Sequence, residues 1–271
     1  MTASETVLAE RRGAVLLLTL NRPERLNAWN DKLEARYFEL LDAAEADPGV
    51  RAIVLTGAGR GFCAGADFDE LQSVEAFDLS PLDRPRARVL PLTLRKPLIA
   101  AINGAAAGLG FVEALFADVR FCVPEAKLTT SFARRGLIAE HGAAWLLPRL
   151  VGTSRALDLL LSGRVVRGEE ALRIGLVDYL ATPETLLDVT LAYAADLAEN
   201  CSPTSMAIIK GQVSRALDES LQESLGSADV LMRESFKRGD VKEGVASYLE
   251  QKAPRFAPLT QGTSGFRALD C

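Results

Sequence analysis

Apolar runs of strand length alternate with turn-forming residues in the first half of the chain. Residues 14–20, 51–56 and 96–102 are aliphatic runs that predict buried strands. Between the first two runs, Asn30 predicts the N-cap of a helix that extends to about Ala46. The second and third runs each lead into a glycine-rich loop, GAGRGFCAGADF at residues 57–68 and NGAAAGLG at residues 103–110. The pattern predicts an α/β fold in which a strand-loop unit occurs twice.

The remainder of the chain changes gradually to a helical pattern. Short strands are predicted at residues 118–122 and 127–129, and helices at residues 111–116, 142–150, 154–161 and 169–174. Beyond Asp178 nearly the whole pattern is helical, with Thr182-Pro183 and Ser202-Pro203 as start signals. We therefore expect three parts: a core over residues 1–183, a helical C-terminal region over residues 184–256 and a poorly ordered tail over residues 257–271.

Composition and charge narrow the class of partner. Of the 271 residues, 48% are hydrophobic and 25% are charged, which is typical of a globular protein. A net charge of -5, with basic residues mixed among acidic ones, favours neither nucleic acid nor an anionic membrane surface. The most apolar stretch, residues 97–121, is interrupted by polar residues, so no membrane span is expected. A small-molecule partner fits best.

The chain has few of the side chains that commonly bind metals or act as nucleophiles. Four cysteines without a CxxC pair and a single histidine, His141, do not make a zinc site, so no metal is expected. Dispersed cysteines and a polar, charged N-terminus fit a reducing cytoplasm. The glycine-rich loops lack the third glycine of the dinucleotide-binding motif GxGxxG, and neither ends in the Gly-Lys-Ser/Thr of a P-loop. The GxSxG motif of serine hydrolases does not occur. Nucleotide binding and serine-hydrolase chemistry are therefore not indicated.

The two glycine-rich loops predict a site made of backbone. Each follows a buried strand and leaves several N–H groups facing away from the sheet, so two such loops side by side can form an oxyanion hole. The small residues of the first loop allow a ligand to approach the main chain. The alternative is that the glycines only make tight turns. Residues 70–91, charged and containing three prolines, predict a loop and a short helix that cover a ligand.

The order of several sequence blocks resembles the crotonase family, the enoyl-CoA hydratases and isomerases. The blocks are NRPERLNAW, IVLTGAGRGFCAGADF, KPLIAAINGAAAGLG, FADVRF, GLIAEHGAAWLLPRLVG, EALRIGLVD and EGVASYLEQKAPRF. They follow the family's order from about residue 14 to residue 256, and their combination is specific. The resemblance implies a crotonase-like spiral of ββα units with a helical C-terminal region, assembled as a homotrimer or a dimer of trimers.

The resemblance also implies an acyl-CoA thioester as the ligand. The amides of Ala66 and Leu109 would bind the thioester oxygen, and coenzyme A would be part of the substrate, with no separate cofactor. Leucine is acceptable at position 109 if its φ is negative, although it narrows the pocket. The residues implied in substrate or CoA binding are Arg25, Leu26, Ala64, Asp67, Phe68, Val112, Phe132, His141, Lys252 and Phe256. For Lys252 a solvated charge at a helix end is the alternative.

The proton-moving group departs from the hydratase pattern. Two glutamates typical of hydratases fall here on Val112 and Phe132, which cannot transfer protons. Glu113 is one residue late, and one residue on a helix is a rotation of about 100°, so its carboxylate is expected to point elsewhere. Glu140 occupies the position that resembles the catalytic carboxylate of enoyl-CoA and dienoyl-CoA isomerases.

Glu140 is therefore the predicted proton shuttle. It is expected at a helix entrance in an apolar pocket walled by Leu109, Val112 and Phe132, where desolvation raises its pKa and the helix end lowers it. The alternative is that Glu140 caps the helix that begins near Gly142. His141 is expected to be structural or to line the pocket rather than to act as a base.

Two functions follow from these predictions. The first is an enzyme that isomerises, or hydrates, an enoyl-CoA through an enolate held by the Ala66 and Leu109 amides, with Glu140 moving the proton. The second is a non-catalytic acyl-CoA binding or carrier protein that kept the pocket and lost the hydratase glutamates.

Overall fold

A six-stranded sheet forms the centre of the fold in a computed structural model, which describes residues 5–67 and 86–259. Its strands, in spatial order, are β1 (Val7–Arg12), β2 (Val15–Leu20), β3 (Ala52–Gly57), β5 (Leu98–Ile102), β7 (Val119–Cys122) and β10 (Tyr179–Leu180). β1 pairs antiparallel with β2, and all other neighbours are parallel. Every residue of β3 and of β5 is buried, as expected for parallel strands covered on both faces.

A second, four-stranded sheet lies beside the first. It contains β4 (Gly61–Cys63), β6 (Ala105–Ala107), β8 (Lys127–Thr129) and β9 (Val166–Arg167) in that order. Three times in succession the chain leaves a strand of the large sheet and enters the small one: from β3 to β4, from β5 to β6 and from β7 to β8. This repeated step produces the expected spiral of ββα units.

Within residues 5–67 and 86–183, five helices accompany the sheets. They are α1 (Asp31–Ala46), α2 (Leu109–Phe116), α3 (Ala143–Val151), α4 (Thr153–Ser162) and α5 (Gly168–Arg173). The predicted start of α1 is confirmed, because Asn30 Oδ1 accepts a hydrogen bond from Leu33 N at 2.9 Å. α2 begins at Leu109, two residues before its predicted start, directly after Gly108.

The C-terminal region is helical, as predicted. Its helices are α6 (Leu186–Asn200), α7 (Pro203–Ala216), α8 (Leu221–Phe236) and α9 (Gly239–Leu249). Ser202 caps α7 as expected, whereas α6 begins three residues after Pro183, which lies in a turn. α6 packs on the large sheet. None of the helices in the described ranges has the length and apolar character that a bilayer crossing requires.

Several short strands were not predicted. β1 exposes five of its six residues, so it has no apolar alternation, and β4 and β6 lie within the two glycine-rich loops. β9 and β10 have two residues each, which is too short for a periodic pattern. The predicted loop and helix at residues 70–91 are described only from residue 86, where Leu90–Thr93 forms a 3₁₀ helix, and tail residues 260–271 lie outside the described ranges.

Candidate active site

The amide of Ala66 faces away from the segment that holds its loop. Trp29 N donates to Gly65 O at 2.7 Å, and Asp67 N donates to Trp29 O at 2.8 Å, which makes a parallel bridge between Trp29 and Ala66. In such a bridge Trp29 bonds to the two neighbours of Ala66, which are Gly65 and Asp67. The N–H of Ala66 itself points to the opposite side. Within the described residues the Ala66 N–H donates to no protein group. It is therefore available to a ligand oxygen.

The amide of Leu109 opens helix α2. Amides in the first turn of a helix have no acceptor inside that helix, and no described group accepts from Leu109 N. Gly108 precedes it with φ +50° and ψ -120°, a conformation natural only to glycine, and donates to Thr129 O at 3.0 Å. Leu109 itself has a negative φ, so the expectation that leucine is tolerated here is confirmed.

The two loops touch. Gly65 has φ +97°, and a Cβ at that position would lie 2.7 Å from Ala107 O and 3.7 Å from Leu109 N. Side chains at residue 65 are therefore excluded both by conformation and by the backbone of the second loop. This close approach places the residue before Ala66 next to the backbone N of Leu109.

Two asparagines hold the first loop, Asn27, which is buried, and Asn103, which is half-buried, and neither was predicted. Asn27 Nδ2 donates to Gly61 O at 2.8 Å and to Ala58 O at 3.0 Å. Asn103 Nδ2 donates to Gly57 O at 2.8 Å, and its Oδ1 accepts from Gly57 N at 3.2 Å. Because asparagine offers donors and an acceptor on one short side chain, it replaces the ladder bonds that a tight loop lacks. Both lie in the quoted family blocks, which is the signal that could have indicated them.

Glu140 lies just before helix α3. Its Oε2 is 3.1 Å from His141 Nε2, and its side chain is 33% exposed. Ala143 N donates to the Glu140 carbonyl at 2.9 Å, and the N-cap of α3 is Gly142, which has no side-chain cap. The carboxylate thus faces His141, an arrangement that does not support the capping alternative.

Apolar residues flank Glu140 on the side of α2. Val112 and Phe132 are buried in one cluster with Ala143, and Ala139 packs against this cluster. Leu109 belongs instead to the main core cluster, and the pocket wall of Leu109, Val112 and Phe132 beside Glu140 stays a prediction. Helices α2 and α3 are packed together, and this contact brings the Glu140 segment alongside the helix that Leu109 opens.

Comparison with known proteins identifies the family of the chain. The sequence model described as enoyl-CoA hydratase/isomerase matches residues 10–258. The chain belongs to the enoyl-CoA hydratase/isomerase family. The 1,2-epoxyphenylacetyl-CoA isomerase of Escherichia coli K12 is 37% identical, with 93% of this chain and 98% of that protein covered.

Solved structures of the family agree with this assignment. A probable enoyl-CoA hydratase/isomerase from Mycobacterium abscessus superposes with a TM-score of 0.87 at 32% identity, covering 93% of this chain and 99% of that one. An enoyl-CoA hydratase from Mycobacterium marinum is 49% identical, with a TM-score of 0.69 and coverage of 80% and 100%. The crotonase fold with a helical C-terminal region is therefore confirmed.

Glu113 of helix α2 carries a buried carboxyl group. Its side chain is fully buried, and neither oxygen has a hydrogen-bond partner among the described residues. Burial raises its pKa well above the usual value, while Arg88 lowers it and Glu34 raises it further. The phenol of Tyr37 is likewise buried without a partner, and burial followed by the charge of Glu113 raises its pKa. Burial therefore favours the protonated form of Glu113 over the charged form.

Replacement of Glu113 by glutamine is expected to flatten the pH dependence of stability. Between the carboxyl's unfolded pKa and its higher folded pKa, the folded state holds a proton that the unfolded state releases. Stability therefore falls as pH rises across this window, by about 1 kcal/mol per pH unit. Urea unfolding at about pH 5 and about pH 8 should show this decline in the wild type and a smaller one in Glu113→Gln.

A matched control for this measurement is Glu39→Gln on the exposed face of α1, whose side chain is 68% exposed. This variant should keep the wild-type decline. An equal decline in Glu113→Gln and in the wild type would mean that Glu113 is ionised in the folded protein.

The residues implied in CoA binding are not all brought together within one protomer. Arg25 is exposed, and Leu26 and Ala64 are half-buried near the first loop. Asp67 is buried and forms an ion pair with Arg22, at 2.8 Å between Nη2 and Oδ2. This ion pair joins the end of the first glycine-rich loop to the segment before α1. Phe68 lies outside the described residues.

Lys252 and Phe256 lie at the other end of the sheet. Phe256 O accepts from Arg51 Nη2 at 2.8 Å, and Arg51 immediately precedes β3, whereas the Ala66 loop follows the opposite end of that strand. Lys252 is exposed and forms an ion pair with Glu250 at 2.6 Å. Their roles in CoA binding stay predictions, and within one protomer these two residues are separated from the amides by the length of β3.

Proposed function

We propose that this protein isomerises an enoyl-CoA by moving its double bond relative to the thioester. The amides of Ala66 and Leu109 hold the thioester oxygen, and Glu140 moves the proton. The observation that carries the proposal is the combination of two amides that donate to no described group, in touching loops, with the partly exposed carboxylate of Glu140 on the adjacent segment.

The proposed reaction balances without a cofactor. The Glu140 carboxylate removes a proton from Cα of a 3-enoyl thioester, and the electron pair of the broken C–H bond moves into the carbonyl to give an enolate. The two amides stabilise the negative oxygen where it develops, which is worth about 10²- to 10³-fold in rate for each donor. Glu140 then returns the proton to Cγ, so the double bond ends between Cα and Cβ.

Hydration is disfavoured by what surrounds the site. Adding water to a 2-enoyl-CoA needs groups that activate the water and protonate Cα. The positions of the two hydratase glutamates hold Val112 and Phe132, both buried and apolar. Glu113 is buried without a hydrogen-bond partner in the described structure, so it does not replace them.

The proposal is tested by offering the purified protein 3-enoyl-CoA and 2-enoyl-CoA separately. Absorbance of the conjugated thioester reports isomerisation, and chromatography of the 3-hydroxyacyl product reports hydration. We expect conversion of the 3-enoyl substrate and little hydration of the 2-enoyl substrate. Rapid hydration would overturn the isomerase assignment. Binding of both thioesters without turnover would favour the acyl-CoA carrier.

We propose that the chain self-associates through its C-terminal helices α8 and α9. α8 has no buried residue, and its large apolar side chains Leu221, Leu225, Val230, Met232 and Phe236 are exposed, as are Val245, Tyr248 and Leu249 of α9. An apolar face of this extent is typical of an interface between subunits. It supports the predicted homotrimer or dimer of trimers.

A further inference from the structure

Two fully buried side chains on different helices lack hydrogen-bond partners. Among the described residues, five buried side-chain nitrogen or oxygen atoms have no partner, and three of the five belong to Glu113 and Tyr37. These three are both carboxyl oxygens of Glu113, on α2, and the phenol oxygen of Tyr37, on α1. Both residues are 0% exposed. Because buried polar groups in folded proteins are nearly always hydrogen-bonded, the two side chains indicate a partner that is not a protein group.

The two side chains lie in one buried region. The rings of Tyr37 and Trp29 pack edge to face with centroids 5.5 Å apart, and Trp29 Nε1 donates to Glu34 Oε2 at 2.9 Å. After burial, the charge of Arg88 lowers the pKa of Glu113 and that of Glu34 raises it. After burial, the charge of Glu113 raises the pKa of Tyr37. Since electrostatic interactions weaken with distance, these effects agree with the ring contacts in placing the carboxyl and the phenol near each other.

The charged neighbours of Glu113 are engaged with other groups. Arg88 Nε donates to Glu34 Oε2 at 2.7 Å, and Arg88 Nη1 lies 3.0 Å from His141 Nε2. Oε2 of Glu34 therefore accepts from both Arg88 and Trp29. Neither charged side chain forms a hydrogen bond with Glu113, so the need for a partner at its carboxyl remains.

The chemistry of the two groups selects a small neutral ligand. Burial favours the protonated carboxyl of Glu113 and the protonated phenol of Tyr37, and it opposes the carboxylate that a cation would require. A protonated carboxyl has one O–H donor and one carbonyl acceptor, and the phenol has an O–H donor. A single water molecule can accept from both O–H groups and donate to the carboxyl carbonyl. It then makes about three hydrogen bonds, the usual number for a buried water.

We propose that Glu113 and Tyr37 together form a binding site for one internal water molecule between α1 and α2. The water makes the hydrogen bonds that the protein leaves open at these two side chains. The site is linked to the first glycine-rich loop through Trp29, whose ring contacts Tyr37 and whose main chain bonds to Gly65 and Asp67. It does not depend on the proposed isomerase activity, because neither Glu113 nor Tyr37 takes part in that reaction.

A high-resolution crystal structure of the full chain tests the site directly. We expect an ordered water within about 3.2 Å of Tyr37 Oη and of at least one carboxyl oxygen of Glu113. A direct hydrogen bond between the two side chains with no water between them would overturn the proposal. So would a water that contacts only one of the two.

Variants test the same site in solution. Tyr37→Phe and Glu113→Met remove the polar atoms and keep side chains of similar size. Oxygen-17 magnetic relaxation dispersion counts the internal waters that exchange slowly, and this number should fall by one in the double variant. The matched control is Tyr179→Phe, because Tyr179 is 47% exposed, and it should keep the wild-type number. An unchanged number in the folded double variant would contradict the proposal.

A double-mutant cycle tests whether the two groups share the water. Either single variant leaves the water with fewer hydrogen bonds, so the fall in the urea midpoint of the double variant should be smaller than the sum of the two single falls. Additive falls would mean that the two groups are satisfied independently, against the proposal. If a variant does not fold, the crystal structure of the wild type still decides the question.

Discussion

Replacement of Glu140 by glutamine is expected to lower the rate of isomerisation by about 10²- to 10⁴-fold, the usual contribution of a positioned general base. Glutamine has nearly the same shape but cannot accept the proton from Cα, so binding of the thioester should change little. The measurement is kcat and KM with 3-enoyl-CoA, together with the Kd of a saturated acyl-CoA. Glu140→Asp keeps a carboxylate one methylene further back and should retain intermediate activity.

The control for this prediction is Glu125→Gln, an exposed glutamate in the turn between β7 and β8, which should leave kcat unchanged. A Glu140→Gln variant that folds, binds acyl-CoA and isomerises at the wild-type rate would assign the proton transfer to another group. Loss of both binding and folding would instead identify Glu140 as a structural residue.

The second large effect is expected from Leu109→Pro, which removes one donor of the proposed oxyanion hole. Proline lacks the N–H group but fits the first position of a helix, which is where Leu109 lies. Gly108 before it has φ +50° and ψ -120°, outside the α region that proline disfavours for its predecessor. We expect kcat to fall by about 10²- to 10³-fold, because the enolate oxygen loses a donor that matters most in the transition state.

Leu109→Ala is the matched control, because it shortens the side chain and keeps the amide. It should lose much less activity than Leu109→Pro, and thermal unfolding should show that both variants are folded. Equal activities in the two variants would exclude the Leu109 amide from the site.

The sequence predicted the regular elements and the two loops because those depend on local properties. The buried strands β2, β3 and β5 are continuous apolar runs, and Asn30 caps α1 through its own side chain. The short strands β4 and β6 escaped prediction, since three small residues in a glycine-rich loop have no period. Only pairing with each other and with β8 makes them strands.

The side-chain network at the site depended on contacts between distant residues. Arg88 lies 54 positions from Glu34 and 53 from His141, and no local pattern in the sequence links these residues. Glu113 is a comparable case. The sequence predicted that its carboxylate points away from the position of the hydratase glutamate. Its complete burial without a hydrogen-bond partner among the described residues follows from the packing around α2.

By itself, the sequence determined the α/β fold class, the two glycine-rich loops and the presence of Glu140 in place of the two hydratase glutamates. The fold class and the loops follow from residue types and their spacing, which set backbone conformation and hydrophobic pattern locally, whereas the place of Glu140 follows from the resemblance to the family. The tertiary structure decided that the loops touch at Gly65 and that Arg88 reaches His141. Such contacts form only when the sheet has brought separate segments together, so their geometry is a property of the folded chain.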